Sequence, residues 1–197
     1  VRPTIGVAVP EREVPVARAP LALGLSELST PRLLLRRFTG DDAPFILELL
    51  NDPDWLKYIG DNGVRTLDDA RSYLREGPIA MYARFGFGLL AVDRKDGGQT
   101  IGMCGLIQRD GVADVDLGFA FLPAFRARGF AREAASAVLA LGHETLGIPR
   151  IVAFTAPDNE RSARLLSEIG MRLERTTVLP NSAEELLLFA SGVPSGP

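Results

Sequence analysis

Cysteine and histidine are almost absent from this chain of 197 residues, which contains one of each. A single cysteine, Cys104, excludes an intrachain disulfide and a cysteine-based metal cluster. A single histidine, His143, excludes a histidine-rich metal site. The sequence therefore predicts no bound metal. We interpret Cys104 as a core residue rather than a nucleophile, and His143 as a packing or helix-surface residue.

An excess of positive charge and long apolar runs are also missing. The formal net charge is −3, which argues against generic nucleic-acid binding because that function requires a basic surface. No run approaches the roughly 18 apolar residues of a membrane span, and the N-terminus does not have the pattern of a secretory signal. We therefore expect a cytoplasmic protein with neither a membrane nor a nucleic-acid partner.

The composition that remains is that of one globular domain. Hydrophobic residues make up 46% of the chain and charged residues 24%, and the length suits a single core. Residues 1–28 contain four prolines and no clear periodicity, so we expect a flexible leader there. The predicted domain covers residues 29–191, and residues 192–197 are predicted to be a disordered tail.

Periodicity and turn signals predict strands and helices that alternate along the chain. Two Thr-x-x-Asp patterns, at Thr39 and Thr66, resemble capping boxes that open helices. The glycine turns between residues 86 and 122 indicate a three-stranded antiparallel meander. The predicted fold is α/β (α+β), a mixed sheet with helices on both faces. The predicted strands are 32–38, 86–93, 99–108, 112–122, 151–155, 171–179 and 184–190, and the main helices are 42–50, 66–75, 126–147 and 158–169.

The loop between the third meander strand and the next helix is the most informative segment. It contains small residues, and free N–H groups at a helix N-terminus bind phosphate without requiring a particular side chain. Gly129 permits close approach of the backbone, and Arg126, Arg128 and Arg132 add positive charge. An ordinary strand-to-helix connection with exposed arginines remains the alternative. The loop lacks the Lys-Ser/Thr ending of a nucleotide loop and the G-x-G-x-x-G fingerprint.

The run Arg126-Ala-Arg-Gly-Phe-Ala131 resembles the Gln/Arg-x-x-Gly-x-Gly/Ala signature of the GNAT superfamily of acetyltransferases. Segments 30–36, 101–106, 115–119 and 157–162 are similar to the branch that acetylates the N-termini of ribosomal proteins. The resemblance implies a GNAT-like, mostly antiparallel central sheet of about six to seven strands. It also implies acetyl-CoA as co-substrate, an amine acceptor and, plausibly, a homodimer.

The same resemblance implies a set of acetyl-CoA-binding residues. In the family the loop wraps the pyrophosphate, an Asn at the next helix contacts the pantetheine arm, and a backbone N–H where two strands splay apart binds the oxyanion. At these positions this chain has Arg126, Ala127, Arg128, Gly129, Phe130 and Ala131 in the loop, Asn159 at the helix, and Phe119, Phe121 and Leu122 on the strand.

Two residues are candidates for catalysis. Asp116 stands where the branch often has a Glu, so it is the candidate base, acting directly or through water. Strand alternation places Asp114 on the same face, where both charges could attract an amine, or where both could be solvated. Ser162 is the candidate donor to the leaving thiolate, because the Tyr used by many relatives is Leu166 here. Capping of a helix is the alternative role for Asn159 and Ser162.

The leading hypothesis is an N-acetyltransferase that acts on a protein N-terminus or on a small amine. The alternative is a catalytically silent acyl-CoA-binding or regulatory domain of the same fold, and a third possibility is a nucleotide in the same loop. Trp55, Tyr58 and Tyr73 either line an acceptor pocket or pack in the core.

Overall fold

The structure is a computed structural model that describes residues 27–180 and 182–192. Most of the predicted leader, residues 1–26, lies outside the described residues, as does the predicted tail after Gly192. Glu27 and Leu28, at the end of that leader, belong to the first strand. Gly192 is the last residue of the final strand.

Within the described residues, the elements follow the predicted order of strand, helices, meander, helix, strand, helix and hairpin. The α-helices are α1 (Ala43–Leu50), α2 (Pro53–Tyr58), α3 (Leu67–Leu74), α4 (Ala80–Phe85), α5 (Phe130–Ala140) and α6 (Glu160–Glu168). The strands are β1 (Glu27–Ser29), β2 (Leu33–Arg37), β3 (Leu89–Arg94), β4 (Thr100–Ile107), β5 (Val115–Phe121), β6 (Arg150–Thr155), β7 (Arg172–Val178) and β8 (Glu185–Gly192).

Both predicted capping boxes are confirmed. The Thr39 side chain accepts from the backbone at the start of the turn that leads into α1, and Asp42 completes the box. Thr66 and Asp69 form the same reciprocal pair at the start of α3. Each box satisfies N–H groups that have no partner inside the helix, which is why the chain turns into a helix at these points.

The helix expected over residues 126–147 begins later, at Phe130, and continues after Ala140 as a π-turn over Leu141–Thr145. The delay has a backbone cause, since Ala127 and Gly129 both have positive φ angles, of 56° and 77°. A right-handed helix cannot include such residues. The stretch from Arg126 to Gly129 is therefore a loop that ends against the first turn of α5.

The strands form a single mixed sheet in the order β1-β2-β3-β4-β5-β6-β8-β7. The predicted meander is confirmed, because β3, β4 and β5 pair in antiparallel fashion. The described part of the chain has eight strands rather than six to seven, and β1 is the strand that was not expected. Among these eight, β5 and β6 form the parallel pair, and its register covers only Val115 with Ile151 and Asp116 with Val152. Beyond Asp116 the two strands diverge and leave a gap in the sheet.

The hydrophobic core lies around the centre of the sheet. Consecutive residues of β4, from Ile101 to Leu106, are all buried, so both faces of this strand are covered. On one face α5 packs through Ala134, Ala135 and Val138, which recur at helical spacing. Among the described residues, no helix has the length and apolarity that a membrane crossing requires.

Candidate active site

A cavity of about 250 Å³ occupies the gap between β5 and β6. Its walls come from α1 and α2 as well as from α5 and α6. Asp116 and Arg109 lie towards one end, and Arg126 and Ala131 lie towards the other. Because β5 rises about 3.3 Å per residue, its stretch from Asp116 to Phe121 separates the two ends by about 17 Å. The cavity is therefore long and narrow, with different chemistry at its ends.

The loop at the Arg126 end of the cavity has the backbone of an anion site. Gly129 is the N-cap of α5 with φ of 77°, and it brings no side-chain cap to the helix. The first N–H groups of α5 are thus left without a side-chain acceptor, and the helix dipole adds partial positive charge there. A Cβ on Gly129 would lie 3.3 Å from Nη2 of Arg32, so the space beside the loop is tight.

The loop arginines divide between two roles. Arg126 donates from Nε to the carbonyl of Phe121 at 2.8 Å, from Nη1 to Asp54 at 2.7 Å, and from Nη2 to Asp52. All three of its nitrogens thus hold α2 and β5 together beside the loop. Arg128 in the loop is exposed, and Arg132 in the first turn of α5 has a largely exposed side chain that lies 3.7 Å from Glu168.

The edge of β5 that faces the gap carries the candidate oxyanion donors. Leu122 donates its N–H to the carbonyl of Ile101 on β4 at 3.0 Å. Alternate N–H groups of a strand point to opposite edges, so those of Phe119 and Phe121 face β6. Since the pairing of β5 with β6 ends at Asp116, the Phe119 and Phe121 N–H groups point into the gap. Leu122, which was also expected in this role, is instead paired within the sheet.

Asp116 is buried at the closed end of the gap and is only 1% exposed. Its Oδ2 accepts from Nε of Arg109 at 2.5 Å. Burial raises the pKa of the Asp116 carboxyl, and the charge of Arg109 opposes that shift. The interpretation of this residue as a solvated strand charge is therefore wrong.

Asp114 does not act beside Asp116 as the strand alternation suggested. It bonds to Nε of Arg150 at 3.0 Å, and Arg150 also holds Glu174. The cavity wall includes Asp116 but not Asp114. The reason is that Asp114 precedes the first residue of β5, so the strand period does not extend to it.

Asn159 and Ser162 are brought together at the start of α6, and both line the cavity. Asn159 is the N-cap, and its Oδ1 accepts from the backbone N–H of Ser162 at 3.2 Å. The capping role is thus confirmed for Asn159, while its amide nitrogen and the Ser162 hydroxyl have no partner among the described residues. Leu166, in the place of the family's Tyr, is 1% exposed and also lines the cavity.

Two cavity residues were not found from the sequence. Thr155, at the end of β6, is 6% exposed, and its Oγ1 is buried with no hydrogen-bond partner among the described residues. Such an orphaned hydroxyl is rare in a folded protein. Arg109 lies just beyond β4, and no local pattern connects it with Asp116. Only the ends of two paired strands, Ile107 opposite Asp116, bring the two together.

The aromatic residues and the single cysteine are also placed by the structure. Trp55 and Tyr58 of α2 line the cavity, whereas Tyr73 does not. Cys104 is fully buried in the core, and burial raises the pKa of its thiol, as expected for a residue that is not a nucleophile. His143 is a packing residue, since its ring nitrogens contact the carbonyl of Ile148 and the hydroxyl of Ser191.

The sheet opens between two parallel strands, and a helix N-terminus without a side-chain cap lies at the mouth of the gap. Such an arrangement has room for an elongated ligand with an anionic end. The family model described as the acetyltransferase (GNAT) domain matches residues 32–172. This chain belongs to the GNAT acetyltransferase family.

Individual relatives agree with this assignment. The uncharacterized N-acetyltransferase YnaD of Bacillus subtilis (strain 168) is 31% identical over 147 residues, which cover 75% of this chain and 83% of YnaD. A solved GNAT-family acetyltransferase from Bacillus anthracis has a TM-score of 0.70 and 27% identity, with 84% of this chain and 98% of that chain covered.

The expected likeness to the ribosomal-protein branch is confirmed at the level of the fold. A structure of RimL, a ribosomal L7/L12 alpha-N-protein acetyltransferase in complex with coenzyme A, has a TM-score of 0.69 and is 15% identical. The match covers 85% of this chain and 98% of RimL.

Proposed function

We propose that this protein moves an acetyl group from acetyl-CoA to a primary amine, by direct attack of the amine within a ternary complex in the cytoplasm. The observation that carries the proposal is the gap beyond Asp116. It joins an anion-binding helix N-terminus at one end to a buried carboxylate at the other, and unpaired N–H groups of β5 lie between them.

The chain's own residues suit each part of acetyl-CoA. The Ala127–Ala131 backbone and the first turn of α5 would bind the pyrophosphate, with Arg128 beside it. The Asn159 amide nitrogen and the Thr155 hydroxyl lie further along the cavity, where the amide-bearing pantetheine arm would pass. A bound arm would give Thr155 Oγ1 the partner that it lacks in the protein.

In the proposed reaction, Asp116 receives one proton from the substrate ammonium, directly or through a water molecule. The freed nitrogen forms the C–N bond to the thioester carbon, and the C–S bond then breaks. The N–H of Phe119 stabilises the oxyanion that forms between these events. The Ser162 hydroxyl donates a hydrogen bond to the departing thiolate. The thiolate takes up the second proton, which the attacking nitrogen loses as it becomes an amide, so CoA leaves as the thiol, and Asp116 returns its proton to solvent. Burial makes Asp116 a stronger base than an exposed aspartate, because it raises the pKa of the carboxyl.

One observation favours a second candidate, a silent acyl-CoA-binding domain. Asp116 is held by the guanidinium of Arg109, and a carboxylate in such a contact accepts a proton less readily. A silent domain would bind acetyl-CoA at the same loop and would release no thiol when amines are added.

The test is amine-dependent thiol release from acetyl-CoA, measured over a panel of small amines and N-terminal peptides, with the acetylated amine identified by mass spectrometry. The proposal expects thiol release that requires both the amine and the protein. The Ser162→Ala variant should slow turnover without loss of acetyl-CoA affinity. If acetyl-CoA binds and no amine is acetylated, the silent domain replaces the enzyme.

A further inference from the structure

Arginines of this fold differ in how much of the guanidinium they use. Buried Arg150 and the partly exposed Arg36 and Arg126 direct Nε, Nη1 and Nη2 each to a protein acceptor, whereas Arg71 and Arg94 use a single nitrogen. Each of the first three connects two elements of the fold through this fork. The planar fork suits carboxylates in particular, because it offers parallel N–H donors.

Arg109 differs from these three. It uses Nε alone, on Oδ2 of Asp116, and within the described part of the chain Nη1 and Nη2 have no acceptor. The side chain lines the cavity and is 42% exposed, so these N–H groups are accessible. Arg150, by comparison, faces Glu174 with both Nη1 and Nη2, which leaves neither of these nitrogens for a ligand.

Only one oxygen of the Asp116 carboxylate accepts a hydrogen bond from the described residues. Oδ2 accepts from Arg109, while Oδ1 accepts no hydrogen bond from the described residues. The closed end of the cavity thus presents an anionic acceptor and a cationic fork next to each other. A ligand that fits both must carry a positive and a negative group separated by very few bonds.

We propose that the acceptor is a small amine that carries a carboxylate close to the amine, as an α-amino acid does, and that Arg109 binds this carboxylate through Nη1 and Nη2. The ammonium group of the same molecule then lies beside Oδ1 of Asp116. The proposal rests on the acyltransferase function proposed above and names its acceptor class. In it Arg109 is a specificity-determining residue and Asp116 is the base.

The rest of the cavity agrees with a small acceptor. The volume of about 250 Å³ is at the low end for ligand pockets, and part of it must hold the acyl group and its thioester. Trp55 and Tyr58 add aromatic surface to the wall of the same cavity. A peptide N-terminus would bring an uncharged amide to Arg109 in place of a carboxylate, and would lose the stronger charge-assisted hydrogen bonds.

The test compares free α-amino acids with the matching α-amides as acceptors of the acetyl group of acetyl-CoA. The amine of an amide is less basic, so more of it is unprotonated at neutral pH. A preference for the free acid therefore cannot come from the supply of nucleophile. We expect kcat/KM for the best free amino acid to exceed that of its amide by about tenfold or more.

The Arg109→Gln variant should abolish this preference, because glutamine has neither the charge nor the fork. KM for the free amino acid should rise about tenfold to a hundredfold, while KM for acetyl-CoA stays unchanged. Any effect on the basicity of Asp116 acts on acid and amide alike, so their ratio isolates carboxylate recognition. Arg109→Lys should retain part of the preference, and the exposed, remote Arg75→Gln should leave it intact.

Equal or better use of the amides, of N-terminal peptides or of polyamines would overturn the acceptor class and leave the acyltransferase function standing. If no amine is acetylated, the binding of free amino acids tests the acceptor class instead. Calorimetric titration of the protein–CoA complex with free amino acids should give heat that Arg109→Gln removes, and absence of that heat overturns the proposal. Failure to bind acetyl-CoA is a separate result, which removes the proposed function itself.

Discussion

Arg109 holds Oδ2 of Asp116 at 2.5 Å, which joins a partly exposed cation to a carboxylate that is 1% exposed. This contact, together with burial, sets the pKa of the Asp116 carboxyl. Burial disfavours the charged form of Asp116 and raises the pKa of its carboxyl, and Arg109 limits that rise. The pair thus keeps a buried base ionisable while leaving one of its oxygens open to the cavity.

The first prediction concerns the pH dependence of the rate. Because the pKa of Asp116 lies above its ordinary 3.8, kcat/KM should fall with falling pH as Asp116 is protonated. In Asp116→Asn the rate should drop about a hundredfold to ten-thousandfold, and the limb due to Asp116 should vanish. Acetyl-CoA affinity should not change. A variant with the wild-type pH profile would exclude Asp116 as the base.

The second prediction concerns the contribution of the Asp116 carboxyl to the stability of the folded protein. A raised pKa in the folded state means that folding favours the protonated form. The contribution of Asp116 to stability is therefore fully present below 3.8 and is lost as pH rises through the folded-state pKa. Urea unfolding across this range should show wild type losing stability relative to Asp116→Asn as pH rises. The opposite slope would mean that Arg109 dominates over burial.

The third prediction uses two glycines with the same backbone conformation. Gly129 in the loop has φ of +77°, and Gly147, remote from the cavity, has φ of +66°. Glutamate at either position adds the same charge on a left-handed backbone, but only Gly129→Glu introduces it at the anion site. Acetyl-CoA should raise the Tm of wild type and of Gly147→Glu, and should leave that of Gly129→Glu unchanged. An equal shift in both variants would refute the loop assignment.

The fourth prediction concerns the orphaned hydroxyl of Thr155. Thr155→Val keeps the shape and removes a buried group without a partner, so the free protein should gain about 1–3 kcal/mol in unfolding free energy. The same change should weaken acetyl-CoA binding about twofold to tenfold, because the hydroxyl can no longer bond to the ligand. Thr155→Ser retains the hydroxyl and should bind normally. Unchanged affinity in Thr155→Val would separate Thr155 from the ligand.

The fifth prediction concerns the contact between α2 and the loop. Arg126→Gln leaves the 6%-exposed carboxylate of Asp52 without its cation. Asp52→Asn retains a helix cap, so the double variant should lose less stability than the sum of the single changes. We expect a coupling of about 1–3 kcal/mol in urea unfolding. The exposed Arg71–Asp68 pair is the control and should give less than about 0.5 kcal/mol. Equal couplings would show that α2 is not held in this way.

Much of the fold could be predicted because its signals are local. The capping boxes at Thr39 and Thr66 each lie within four residues. Gly170, two residues after the end of α6, has a positive φ of 92°, which is typical of the residue that follows a helix. Strand β1 could not be predicted, since three residues are too few to show a period. Its place is set by pairing with β2.

The candidate site could be predicted only where it coincides with a motif. The loop follows from its small residues directly before a helix, and Asn159 follows from the resemblance to the family; both lie beside the cavity. The partners of Arg126 are 72 and 74 residues away, and the contact of Arg109 with Asp116 depends on the register of β4 against β5. Burial of Thr155 likewise arises only when the sheet packs against α5 and α6. Tertiary contacts of this kind leave no local trace in a sequence.

Calorimetric titration of the wild-type protein with acetyl-CoA tests the central claim most directly. The account predicts one site per chain with a dissociation constant in the micromolar range, and no binding by Gly129→Glu. Absence of binding in a wild-type protein that is folded would contradict the assignment of the gap between β5 and β6 as an acyl-CoA site.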